Sequence, residues 1–142
     1  MFSVDDCNIV DLHKVHNESG SITVIDNNVN IPFEVNRIYY LYDVPMGADR
    51  GGHGHYKLQQ YIIAASGSFT FVLDDGVSKK EFFLNDPSKA LHIKPGIWRE
   101  IKDFSSGSIC LVLASHEYEE TDYIREYDEF LKYVKLNGTK SL

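Results

Sequence analysis

Apolar and polar positions alternate along most of the chain with a period of two. "SITVID" (21–26), "RIYYLYDV" (37–44), "QQYIIAAS" (59–66), "SFTFVLDD" (68–75), "KKEFFLND" (79–86), "KALHIKP" (89–95) and "ICLVLAS" (109–115) are short runs rich in Val, Ile, Phe and Tyr. Successive strand residues face opposite sides, so each run predicts a β-strand, and the Gly, Asn, Asp, Ser and Pro between them predict turns. "LDDGVS" predicts a hairpin, with Asp75–Gly76 supplying positive φ angles. "NDPSKA", "KPGIW" and "FSSGS" predict further turns. Many short strands at even spacing predict an all-β sandwich or closed barrel. The end of the chain differs. "DYIREYDEFLKYVK" (122–135) places Tyr123, Tyr127, Phe130, Leu131 and Val134 near helical spacing, with acidic residues early and lysines late. It predicts one helix, or two short ones, packed outside the β body, followed by a frayed tail "LNGTKSL". No internal repeat and no low-complexity linker interrupts the pattern, so residues 1–142 read as one domain.

Composition narrows the function classes. The chain has 142 residues, 43% hydrophobic and 25% charged, as expected of a globular domain. A net charge of −7 weighs against general nucleic-acid binding, which needs a basic footprint, but leaves room for one nucleotide held by local arginines. No apolar stretch approaches the ~20 residues that span a bilayer. The N-terminus lacks a charged-then-apolar signal pattern. Cys7 and Cys110 are too few for a disulfide framework, and Cys110 inside "SICLVLAS" reads as a buried thiol. These features predict a cytoplasmic protein with reduced thiols.

The candidate chemistry centres on His53 and His55 in "DRGGHGHYKLQQ". On a strand the two imidazoles project to one side. Gly51, Gly52 and Gly54 flank them and are expected to leave open space beside the rings, which weighs against simple core filling. The pattern G-x5-H-x-H-x4-Q-x6-G, from Gly47 to Gly67, resembles the first motif of the cupin superfamily of small β-barrels. Metal-binding cupins usually carry glutamate where Gln60 stands, and a further histidine near the position of Arg99 and Glu100 in "KPGIWREI". A catalytic metal needs about three protein ligands with lone pairs. Two histidines, a neutral amide and an arginine fall short, unless Glu100 or the nearby His92 substitutes. The expectation is therefore no metal. Two inward imidazoles suit acid–base work near neutrality, worth typically ~10²–10⁴-fold.

"RGGHGHYKLQQ", "KPGIWREIKDFSSGSICLVLAS" and "YEETDYIREYDEFL" together resemble the nucleotide-sugar 3,4-ketoisomerases (WxcM-like, FdtA/QdtA-like cupins) over roughly residues 5–136. The resemblance implies a cupin-type double-stranded β-helix (jelly-roll barrel) with a short C-terminal helix. It implies an enzyme that moves the carbonyl of dTDP-4-keto-6-deoxyglucose from C4 to C3, without cofactor, for 3-amino-3,6-dideoxy sugars of bacterial surface glycans. The C3 proton is α to the ketone, so a base can remove it to give an enediolate that is reprotonated at C4. His53 and His55 divide these tasks, with His55 assigned to C3. Arg50 and Arg37 are diphosphate candidates, each with the alternative of a surface ion pair, for Arg50 with Asp49 or another carboxylate. Tyr39 and Tyr40 alternate faces, so only one can reach the sugar. Gln60 could orient the sugar or a histidine. Trp98 could stack on thymine or pack in the barrel. Arg99 and Glu100 form a rim ion pair or contact substrate. His13, His16 and His116 read as surface residues. The family also implies a homodimer; the charge and the short apolar runs predict no nucleic-acid and no membrane partner. Rival readings are a 3,5-epimerase-like enzyme, a metal-dependent cupin, and a non-catalytic sugar-binding module.

Overall fold

A computed structural model describes residues 1–138. Twelve strands appear in chain order: β1 (Asn8–Asp11), β2 (Lys14–Asn17), β3 (Gly20–Thr23), β4 (Arg37–Leu41), β5 (Arg50–His55), β6 (Gln60–Ser66), β7 (Phe69–Asp74), β8 (Lys79–Leu84), β9 (Lys89–Ile93), β10 (Trp98–Lys102), β11 (Ile109–Ala114) and β12 (Tyr123–Ile124). One helix, α1 (Tyr127–Gly138), follows. Two five-stranded antiparallel sheets, ordered β1-β9-β6-β11-β4 and β12-β5-β10-β7-β8, form the two walls of a cupin-type jelly roll, and β2-β3 is a separate hairpin. Alternation builds the core. Ile62, Ala64, Leu91, Ile93, Cys110 and Val112 from the first sheet meet Phe69, Phe71, Leu73, Phe82, Leu84 and Ile101 from the second. The opposite faces of β6 and β11 carry Tyr61, Ile63 and Leu113 into an outer cluster with Ile31 and Phe33. That double burial explains why "QYIIAA" reads as a continuous apolar run. Cys7 and Cys110 are both free and buried.

The expected β7–β8 hairpin pairs in register from Phe69↔Leu84 to Asp74↔Lys79. Only Gly76 has the positive φ, at 89°. Asp75 acts through its carboxylate instead, which accepts from the backbone N–H of Val77, Ser78 and Val4.

The C-terminal segment departs from the helical expectation at its start. Asp122 closes a 3-10 turn, Tyr123–Ile124 adds to the edge of β5 as Tyr123↔His55 and Ile124↔Gly54, and the helix begins only at Tyr127. An unpaired strand edge offers free backbone groups, and the extended conformation satisfies them while burying Ile124 to 2% exposure. Phe130, Tyr133 and Val134 then dock α1 onto Trp98 and Ile124, and the Tyr127 hydroxyl donates to Asp74 at 2.6 Å. Leu131 is exposed. Of the expected frayed tail, residues 136–138 continue the helix, and 139–142 lie outside the described residues.

Candidate active site

A cavity of about 310 Å³ opens between the two sheets, and both supply its wall. From the second sheet, β5 brings His53, β10 brings Arg99 and β12 brings Tyr123. His53 lies directly across from Arg99, and His55 directly across from Tyr123. From the first sheet come Arg37, Tyr39 and Leu41, alternate residues of β4, and Gln60 of β6. One extra residue on β5 makes a bulge between Arg50 and His53 opposite β10, where Gly51 adopts φ 84°. A bulge re-aims the side chains beside it, and Arg50 joins the cavity wall.

The flanking glycines serve a purpose other than the one expected. Gly52 and Gly54 alternate with the histidines and lie on the opposite face of β5. A Cβ at Gly54 would stand 3.3 Å from the Ile97 carbonyl oxygen and 3.7 Å from Phe130, and one at Gly52 would stand 3.5 Å from Trp98. They admit close packing of β10 and α1 on the face away from the rings, and only Gly51 of the three lines the cavity with His53.

The two imidazoles are not equivalent. Their centroids are 4.9 Å apart, edge to face. His53 lines the cavity and is half-buried. His55 is fully buried behind it, its ring 4.3 Å from that of Tyr123 and tilted 59° to it, with Nδ1 3.2 Å from Asp122 Oδ2. The Nε2 atoms of both rings are buried without a partner among the described residues. Burial, then the positive charge of Arg99, lowers His53 to about 3, with Arg125 and Arg37 contributing in the same direction. The same causes, burial first, push His55 lower still. At neutral pH both rings are uncharged bases.

Arg99 sets the electrostatics. It is 2% exposed, donates to Gln60 Oε1 and, at 2.9 Å, to the Ile97 carbonyl, and pairs with no carboxylate among the described residues. Burial lowers it to about 10, so it stays a cation at neutral pH. Gln60 Nε2 donates onward to the Tyr39 hydroxyl at 3.0 Å. A cation, an amide and a phenol thus form one chain along the wall. Such an array stabilises negative charge that develops on a bound oxygen.

Three more guanidiniums surround the mouth. Arg37 lies 5.0 Å over Tyr39 and donates to the Tyr123 hydroxyl at 3.4 Å. Arg125 lies 4.3 Å over Tyr123 and forks onto Glu120 at 2.6 and 2.8 Å. Neither Arg37 nor Arg50 is paired with a carboxylate among the described residues, so the expected alternative for Arg50, an ion pair with Asp49, is absent.

Other sequence expectations are corrected here. Tyr40 points outward, 58% exposed beside Tyr42, because its neighbour Tyr39 takes the inward position. Trp98 is buried under α1 against Tyr127 and Phe130, away from the cavity, since Arg99 takes the inward position on β10. Arg99 and Glu100 are on opposite faces and form no rim pair. His92 bonds Gln59 on the far side of the first sheet and does not join the histidine pair. His13, His16 and His116 are exposed, as read. No three His, Cys, Asp or Glu side chains converge among the described residues. The site residues that sequence reasoning missed are Arg99 as an inward cation, Tyr123, Arg125 and Asp122. The last three sit in a stretch whose helical spacing masked a strand.

Residues 5–135 match the family described as "WxcM-like, C-terminal", FdtA. A TDP-4-oxo-6-deoxy-alpha-D-glucose-3,4-oxoisomerase from Aneurinibacillus thermoaerophilus is 42% identical over 133 residues, covering 93% of this chain and 96% of the relative. A 3,4-ketoisomerase from Helicobacter canadensis superposes with TM-score 0.89 at 43% identity, over 92% of this chain and 98% of that one. A histidine-to-asparagine mutant of the Thermoanaerobacterium thermosaccharolyticum 3,4-ketoisomerase, solved with TDP-4-keto-6-deoxyglucose, superposes with TM-score 0.89 at 39% identity over 91% and 94% of the two chains. With a paired-histidine wall facing a buried guanidinium, on a barrel matched over about nine-tenths of its length by these structures, the chain belongs to the FdtA, WxcM-like family of cupin-fold sugar 3,4-ketoisomerases.

Proposed function

We infer that the chain is an enzyme that moves the carbonyl of a thymidine-diphosphate-linked 4-keto-6-deoxyhexose from C4 to C3, in the making of 3-amino-3,6-dideoxy sugars. The observation that carries this reading is the wall itself: a neutral imidazole, His53, whose Nε2 has no partner among the described residues, directly across from a buried cation, Arg99. His53 removes the C3 proton. Negative charge then grows on the C4 oxygen, where Arg99 and the Gln60–Tyr39 chain offer positive charge and donors. The C3 hydroxyl proton passes to the C4 oxygen, the enediolate takes a proton back at C4, and the C3 oxygen becomes the ketone. The substrate face goes to His53, because His55 lies behind the wall and supports it as the second proton carrier. This reverses the division of tasks expected from the sequence. Arg37 and Arg50, unpaired at the mouth, are placed to take the diphosphate, with Arg125 beside them. The reading is metal-independent, because the wall opposite His53 offers a guanidinium, which cannot ligate.

The test is incubation with TDP-4-keto-6-deoxyglucose followed by ¹³C NMR. A ketone signal that moves to C3 supports the inference. A carbonyl that stays at C4, with inversion at C3 or C5, overturns it in favour of an epimerase.

We propose further that the protein works as a homodimer in the cytoplasm. Support for the dimer is the apolar outer face of the first sheet, where Ile38, Leu111 and Leu113 line a groove beside Ile25 and Val35, and the hairpin β2-β3, whose Val15 and Ile22 are 50% and 64% exposed. Support for the compartment is the pair of buried free thiols. No helix among the described residues is long and apolar enough to cross a membrane.

A further inference from the structure

Asp122 makes a set of contacts that the chemistry above does not use. Its Oδ1 accepts from the Lys57 N–H at 2.8 Å. Its Oδ2 faces the Leu58 N–H and His55 Nδ1, both at 3.2 Å. Its backbone carbonyl accepts from the Tyr56 N–H at 3.1 Å. Two backbone donors pin the carboxylate between the end of β5 and the start of β6, and the third holds its backbone there. Its side chain is 11% exposed, against 0% for that of His55. A carboxylate only accepts hydrogen bonds, so Nδ1 of His55 must carry the hydrogen and Nε2 the lone pair. That Nε2 is buried and has no partner among the described residues.

We propose that Asp122 is a positioning residue of the isomerisation: it holds His55 in the Nδ1–H tautomer, so that the imidazole next to His53 is a proton acceptor and not a donor. The proposal rests on the ketoisomerase reading of the site. In that reaction the C3–H bond breaks, its proton goes to the imidazole pair, and the electron pair enters the enediolate. The C3 hydroxyl proton moves to the C4 oxygen and a proton returns from the pair to form the C4–H bond, so the net protonation of the enzyme is unchanged. An acceptor at His55 Nε2 gives the pair a second lone pair for that proton, and the Asp122 carboxylate stabilises the imidazolium that results. A donor at that nitrogen would leave His53 as the pair's one acceptor.

The geometry alone can be tested first, on the full wild-type chain labelled with ¹⁵N-histidine and without substrate. Two-bond ¹H–¹⁵N correlation spectra at neutral pH are expected to show a protonated Nδ1 and a bare Nε2 for His55. A protonated Nε2 overturns the proposal. Asp122→Asn comes next. It keeps the size of the side chain and its carbonyl acceptor for the loop, but turns an amide donor toward the ring. The tautomer is expected to invert, and kcat to fall about 10²–10⁴-fold, as when the carboxylate behind a catalytic imidazole becomes an amide. KM is expected to stay within about threefold, because the lost interaction acts only in the chemical step. A kcat near wild type, or a loss confined to KM, overturns the proposal. If the variant does not fold, the wild-type spectrum decides. That spectrum is read without turnover, so its failure is separable from that of the ketoisomerase reading, which shows as a wild-type enzyme leaving the carbonyl at C4.

Discussion

At the scale of single residues, Arg99 carries an energetic conflict. A buried guanidinium without a carboxylate partner is expensive for the fold, because desolvation is not repaid by Coulomb attraction. It is useful only where negative charge appears transiently. Arg99→Met is therefore expected to lower kcat about 10²–10³-fold while the melting temperature holds or rises. Turnover assays beside thermal denaturation check this, and a destabilised but active variant would contradict it. The histidines carry a pH signature. Unfolded imidazoles titrate near 6.5, whereas His53 is held at about 3 and His92 at about 4 in the folded chain, and His55 is lowered further. Between those values the unfolded chain binds protons that the folded chain does not. Stability is thus fully present above pH 6.5 and falls as pH drops from there toward about 3. Denaturant midpoints across that window should decline, and His53→Asn should make the slope shallower. A flat profile would contradict the buried, neutral pair.

The strands with clean alternation were readable from the sequence because one of their faces is apolar, and the paired histidines were readable because strand period two puts them on one side. β10 was not, because "WREIK" turns its charged Arg99 inward and its tryptophan outward under α1. β12 was hidden because Tyr123 fits both a helical and a strand period, and Asp122 finds its partner 67 residues away. Contacts of that separation leave no local mark. The same elements make predictions. Phe130 is fully buried and anchors α1 to the outer face of β12 and β10. Phe130→Ala should cost about 3–5 kcal/mol by chemical denaturation. It should also lower kcat, because the strand bearing Tyr123, and the turn that brings Asp122 before it, lose their cover. Gly54→Ala should destabilise by about 1–3 kcal/mol, since its Cβ would press on the Ile97 carbonyl 3.3 Å away and backbone cannot yield as a side chain does.

For the whole molecule, the two walls have separate tasks. The first sheet is apolar on both faces, and its outer face, with the hairpin β2-β3, is where a second copy is expected to sit. Light scattering in solution should return twice the monomer mass of 16.2 kDa, and a monomer at micromolar concentration would contradict the dimer. Between the walls, the chain concentrates four arginines around one cavity despite its net charge of −7, which suits an anionic nucleotide-linked substrate. The central claim is that His53 breaks the C3–H bond. The most direct measurement is the rate of that cleavage with TDP-4-keto-6-deoxyglucose carrying hydrogen or deuterium at C3, for the wild type and for His53→Asn. The wild type is expected to show a primary isotope effect, and the variant to bind the sugar yet cleave the bond at least about 10²-fold more slowly. Cleavage by the variant at the wild-type rate would contradict the account.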